Sequence, residues 1–182
     1  MDLCEITSLT MTAWSSFCLG NIYCERKDYK KAQNYFETGI LFLKKGKLMP
    51  SWMRAIKICV DKTKLMQGDL KMDLKSLYTY AYENRFKSYD GWLSRFLCEI
   101  LMNMDDDHKS EAEDWIKRSI ELDEKRGLRW NLAKDYTVYS DLFKKNRDSV
   151  KAKENLSKAI DIFKECGADG WVEKYEKELT AL

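Results

Sequence analysis

The chain has one histidine, His108, and it follows three aspartates, Asp105, Asp106 and Asp107. Any acid–base or cation chemistry would start there. A calcium loop needs oxygen ligands at alternating positions, a glycine for the sharp turn and a distal glutamate. These aspartates are consecutive and lack both partners. The run reads as a solvated turn that caps the following helix. A Ser-His-Asp or Cys-His arrangement would have to use His108 as its base. A turn at the edge of a helical array is a poor cleft for that. No glycine-rich phosphate loop is present, since Gly167 and Gly170 close a helix instead of following a strand. The carboxylates are dispersed along helix faces. The six cysteines (Cys4, Cys18, Cys24, Cys59, Cys98, Cys166) form no C-x-x-C pair. Several fall at apolar helix positions, where a reduced thiol acts as a small hydrophobe. The sequence therefore predicts no enzyme, no cofactor and no metal site.

Composition narrows the class further. The 182 residues are enough for one domain with a sizeable core, and residues 1–182 are read as one. Pro50 is the only proline, glycines number 8, and 34% of residues are charged, which favours long helices with few breaks. A net charge of +2 gives no electrostatic case for nucleic acid or a membrane surface. No apolar run approaches the roughly 20 residues that span a bilayer. The start, Met1-Asp2-Leu3-Cys4-Glu5, lacks a basic n-region, so a cytoplasmic protein without a secretory signal is expected.

What positions the side chains is a repeat of 40 residues. Ala32, Met72, Ala112 and Ala152 share one grid position. Seven residues on, Gly39, Thr79, Ser119 and Ala159 are all small, and Ile40, Tyr80, Ile120 and Ile160 follow. Phe42, Tyr82, Leu122 and Ile162 complete the apolar face. Repeats of this length are helix pairs that bury their apolar faces by stacking on their neighbours. Trp14, Trp52, Trp92, Trp130 and Trp171 recur at 38 to 41 residues, most of them after a breaker such as Pro50-Ser51, Asp90-Gly91 or Gly170. Serine or aspartate at those breaks offers an acceptor to the free N–H groups of the next helix. Each Trp is thus expected in a first helical turn, packing on the preceding pair. The predicted helices span 6–26, 29–45, 51–67, 69–86, 91–104, 109–126, 128–145, 148–165 and 169–181. A small residue at the seventh step lets paired helices approach closely.

Residues 13–45 resemble a tetratricopeptide repeat, through Leu19-Gly20-Asn21-Ile22-Tyr23, Asp28-Tyr29, Ala32, Phe36 and Gly39. Residues 132–165 match again through Tyr136, Tyr139, Phe143, Asp148, Ala152, Leu156, Ala159 and Ile162. The third repeat matches in its second helix, and Leu97 and Leu101 restore the register that Glu99 breaks in its first. The second repeat is degenerate, with Met72 and Ser76 at the small and aromatic positions. The period, longer than the family's usual one, is similar to the arrays in carboxy-terminal regions of bacterial multidomain signalling ATPases and adenylate cyclases. The resemblance implies an all-α fold: a right-handed superhelical array of antiparallel helix pairs. About four pairs (6–45, 51–86, 91–126, 128–165) would be followed by a C-terminal capping helix over 169–182.

The same resemblance implies a concave groove lined by the first helices. It would place there Trp14, Phe17, Asn21 and Cys24, then Arg54, Lys57, Asp61 and Lys64. Ser94, Leu97 and Leu101 would follow, then Lys134, Thr137, Asp141 and Lys144. Asn21 fits the set with which family members grip chaperone tails, but Phe17 stands where a lysine is needed, so chaperone binding is not implied. The expectation is a protein-interaction scaffold in a signalling or regulatory assembly, holding an acidic peptide or partner domain in that groove. The alternative is a self-associating module, a homodimer through the N-terminal repeat. Leu3, Ile6, Leu9, Met11 and Trp14 begin the chain without a polar cap, as packing on a second copy or another domain would require.

Overall fold

Four aspartates start helices in the same way, and two of them, Asp28 and Asp148, share one position of the 40-residue grid. Asp2, Asp28, Asp73 and Asp148 each accept a hydrogen bond from the backbone N–H three residues on, at 2.8, 3.2, 3.2 and 3.1 Å. Each satisfies an N–H that the first helical turn leaves open. The computed structural model describes residues 2–69, 72–83 and 87–182. Among them are nine α-helices and no strand.

The chain divides into two compact units, one ending at Lys87 and one running from Ser88 to Leu182. In the first, α1 (Leu3–Glu25) packs on α2 (Tyr29–Gly46), α2 on α3 (Pro50–Met66), and α3 on α4 (Leu74–Tyr82). In the second, α5 (Asp90–Met104) packs on α6 (Lys109–Lys125), α6 on α7 (Arg129–Lys145), α7 on α8 (Ser149–Glu165), and α8 on α9 (Asp169–Thr180). One turn of 3-10 helix, Lys87–Tyr89, precedes α5.

The turns that close α1, α6, α7 and α8 share one geometry. Lys27, Gly127, Arg147 and Gly167 have φ of 59, 66, 59 and 65°. In each turn the next residue's N–H reaches back to Tyr23, Asp123, Phe143 or Phe163. This left-handed closure pairs carbonyls that the helix end leaves open.

The second repeat departs from the expected pattern. The spacing predicts a helix over 69–86, whereas α4 starts at Leu74, where Asp73 accepts from the Ser76 N–H and caps the first turn. Met72 therefore precedes the helix instead of filling a small helical position. Leu70 and the expected end at 84–86 lie outside the described residues. Thr79 and Tyr82, at the small and apolar grid positions, are exposed.

The tryptophans also diverge from the expectation. Trp14 is in the middle of α1. Trp52 packs back on α1, 5.5 Å from Trp14, as expected. Trp130 instead packs forward, edge-on, with ring centroids 5.4 Å from Phe163 and 5.6 Å from Trp171, because antiparallel packing brings the start of α7 beside the end of α8. The expected serine or aspartate caps are absent at α3 and α5, which follow Met49 and Tyr89 without a side-chain cap bond. Pro50 opens α3, where its missing N–H is no loss.

Each unit has its own core. The first is built around Phe36, Leu43, Ile56, Ile58 and Trp52. In the second, Leu132, Leu156, Ile160 and Phe163 are buried, and α9 lays Trp171, Val172, Tyr175 and Leu179 against them. The amphipathic face expected of the closing helix is thus the face that packs. Leu97 and Leu101 are fully buried, in keeping with the shifted register of α5.

Candidate functional site

The residues expected to line a groove acquire partners within their own unit. On α3, Arg54, Lys57, Asp61 and Lys64 form one helical stripe, and α4 lies along it. Arg54 pairs with Glu83 at 2.6 Å, and the Lys57 ammonium lies 3.5 Å from the Tyr80 hydroxyl and 5.1 Å from its ring centre. A cavity of about 530 Å³ is lined by Pro50, Ser51, Arg54 and Glu83, so that ion pair is part of its wall. Burial pushes the Asp61 carboxyl above its ordinary range, against the pull of Lys64 and Lys57.

On α7 the stripe meets α9. The Lys134 ammonium sits 3.9 Å from the Trp171 ring centre, a cation–π contact. Lys144 binds Asp141 at 2.7 Å and also Glu178. Thr137, Ser94, Leu97 and Leu101 are buried and line no open surface. On α1, Asn21 donates to the Phe17 carbonyl at 2.9 Å. Trp14 and Phe17 join Trp52 and Phe36 in an aromatic cluster with centroids 5.5 to 6.1 Å apart.

The histidine turn is local. Asp105 Oδ1 accepts from the N–H groups of Asp107 and His108 and lies 2.7 Å from His108 Nδ1. His108 occupies the cap position of α6 without a side-chain cap bond. Among the described residues no group of three or more His, Cys, Asp or Glu is placed to hold a metal, and no disulfide joins the cysteines.

Two features were not read from the sequence. One is a buried ionic cluster in the second unit. Arg95 donates to Asp135 at 2.7 Å and to the Asn131 carbonyl at 3.2 Å, with Asp135 fully buried. Ser119, whose hydroxyl has one proton, lies 2.7 Å from the Gly91 carbonyl and 2.8 Å from Asp135 Oδ1. Asp123, also fully buried, is within hydrogen-bonding reach of Asp135. Both Asp123 oxygens and Asp135 Oδ2 lack any other partner. A proton shared between the two carboxyls supplies the missing donor, since an unpaired buried carboxylate is costly. Burial holds Asp135 up at about 7, with the Asp123 charge adding to it and Arg95 opposing it. Gly91 makes room for the cluster, because a Cβ there would lie 2.1 Å from Asp123 Oδ1. The signal was in the repeat: Arg95 and Asp135 are 40 residues apart, at the position where Ala55 stands, and Asp123 shares its position with Leu43 and Phe163.

The second feature is the outer face of α1. Leu3, Thr7, Met11, Trp14, Cys18 and Ile22 are all exposed, Leu3 by 78%, Met11 by 57% and Ile22 by 48%. No charged residue occurs from position 6 to 24. The helix buries Leu9, Ala13, Ser16 and Gly20 on one side and leaves an apolar stripe on the other. Contiguous exposed apolar surface of this kind marks contact sites. No helix among the described residues is long and apolar enough to cross a membrane. The chain matches no protein-family model and no curated protein.

Proposed function

We propose that this chain is a protein-interaction module built of tetratricopeptide-like helix pairs, and that it meets its partner through the outer face of α1. Its place would be a scaffold in a cytoplasmic signalling or regulatory assembly. The observation that carries the reading is the uncharged stripe from Leu3 to Ile22, which a solitary chain has no reason to leave in water. The repeat of 40 residues and the paired helices support the tetratricopeptide-like class. An acidic peptide on the basic stripes has less in its favour, because it would have to displace Glu83, Tyr80 and Glu178 from Arg54, Lys57 and Lys144.

Partner capture from extracts of the source cells, with three forms of the full chain as bait, tests this. The wild type is compared with Met11→Glu/Ile22→Glu and with Lys57→Glu/Lys64→Glu/Lys144→Glu. The α1 variant is expected to lose the captured proteins and the charge reversal to keep them. The opposite pattern would overturn the α1 assignment in favour of the basic stripes.

A further inference from the structure

We propose that the partner of α1 is a second copy of the chain, whose own α1 lies antiparallel to it across a two-fold axis midway between Met11 and Trp14. This rests on the reading of α1 as the contact face. Six of the exposed positions of α1 form one stripe, 3, 7, 11, 14, 18 and 22, separated by 4, 4, 3, 4 and 4 residues, so the order of the stripe is the same from either end. At 3.6 residues per turn they fall within an arc of about 100°, which Cys4 and Glu25 share at the two ends of the helix. A two-fold interface requires that whenever residue i meets j, residue j meets i. Antiparallel pairing about that axis meets the condition at every step. Leu3 faces Ile22, Thr7 faces Cys18, and Met11 faces Trp14. Large residues meet at the ends and centre, and the small Thr7 and Cys18 between them let the helices close.

Charge selects the same direction. The start of α1 carries Asp2 and Glu5, and its end carries Glu25, then Arg26 and Lys27. An antiparallel pair sets the acidic start of one copy near the basic residues at the end of the other, and opposes the helix dipoles. A parallel pair would set like charges together. One helix face of 23 residues is about 35 Å long and buries less than the standard interface. The dissociation constant is accordingly expected on the order of 10–100 μM.

The test uses the full chain with Cys4→Ser, Cys24→Ser and Cys166→Ser, keeping Cys18. Adding Thr7→Cys places two thiols about 16 Å apart along one helix, too far to join within a molecule. Mild oxidation is expected to give a covalent dimer, doubling the 21.5 kDa mass, joined between position 7 and Cys18. A Cys18–Cys18 link in the Thr7 background would overturn the antiparallel arrangement. In light scattering, Leu3→Glu is expected to weaken the dimer at least tenfold, and adding Ile22→Lys to restore it, because those positions face each other. Both side chains are exposed, so circular dichroism should stay unchanged. A wild-type monomer at about 0.5 mM would overturn self-pairing. If the α1 variant still lost captured proteins in that case, the contact face would stand and only its partner would change. If capture were also unaffected, both would fall.

Discussion

The two units follow one 40-residue period and share their turn geometry, yet among the described residues only the second buries charged side chains. In the first unit the buried polar side chains among the described residues are hydroxyls, Ser16 and Thr63, and aromatic rings fill the space between α1, α2 and α3. The outer face of α1 is apolar. In the second unit Arg95, Asp123 and Asp135 are inside, and the outer faces carry ion pairs such as Lys117–Glu113 at 2.7 Å and Lys164–Glu176 at 2.8 Å. A repeat fixes spacing and approach distance. What fills a position can change sign from apolar to charged without disturbing either.

The largest effect should separate an inner charge from an outer one. Arg95→Ala leaves Asp123 and Asp135 buried without a cation and should cost about 3–5 kcal/mol in denaturant unfolding. Arg54→Ala removes a half-exposed ion pair in the first unit and should cost no more than about 1 kcal/mol. If the two variants came within that smaller figure of each other, the contrast between the units would fail. Glycines give the next largest test. In Gly20→Ala the new Cβ would lie 2.4 Å from the Phe36 ring, which is fully buried, and overpacking should cost about 1–3 kcal/mol. Gly170→Ala in α9 meets nothing within 4 Å and should stabilise by about 0.5–1 kcal/mol.

Acidity distinguishes the second unit. Asp135 holds its proton up to about 7 in the folded chain, whereas an unfolded aspartate loses it near 3.9. Between those values the folded state binds more protons, so stability from this cluster is greatest in mild acid and declines as pH rises through the window. The melting temperature should fall by roughly 5 °C from pH 5.5 to 8. Asp123→Asn removes the second acid and can donate to Asp135, so it should flatten that slope; an unchanged slope would place the proton elsewhere. The smallest effect should be shared. Lys27→Gly in the first unit and Arg147→Gly in the second each relieve a left-handed side chain and should stabilise by about 1 kcal/mol. Unequal gains would mean that the turns differ after all.

Much of the fold was legible in sequence. Asp28 and Asp148 start helices where their side chains predicted, and Ala32, Ala112 and Ala152 are all fully buried. The α9 face of Trp171, Val172, Tyr175 and Leu179 packs as its spacing required. These are local matters of capping, helical period and side-chain size, which neighbouring residues decide among themselves. The candidate groove was less legible. The stripe Arg54, Lys57, Asp61, Lys64 is visible as a helical face, but nothing in its own spacing says that α4 will cover it. The same holds for Lys134 and Lys144 beneath α9, and for the forward, edge-on packing of Trp130.

By itself the sequence determined a chain of helix pairs on a 40-residue grid, with most of its turns and buried alanines in place. Tertiary structure alone decided which faces were left over. A face is exposed or covered according to which helix packs on it, and that depends on contacts between residues tens of positions apart. So it was the packing that sealed the basic stripes with Glu83, Tyr80 and Glu178, drew Arg95 and Asp135 together inside, and left the uncharged face of α1 in water.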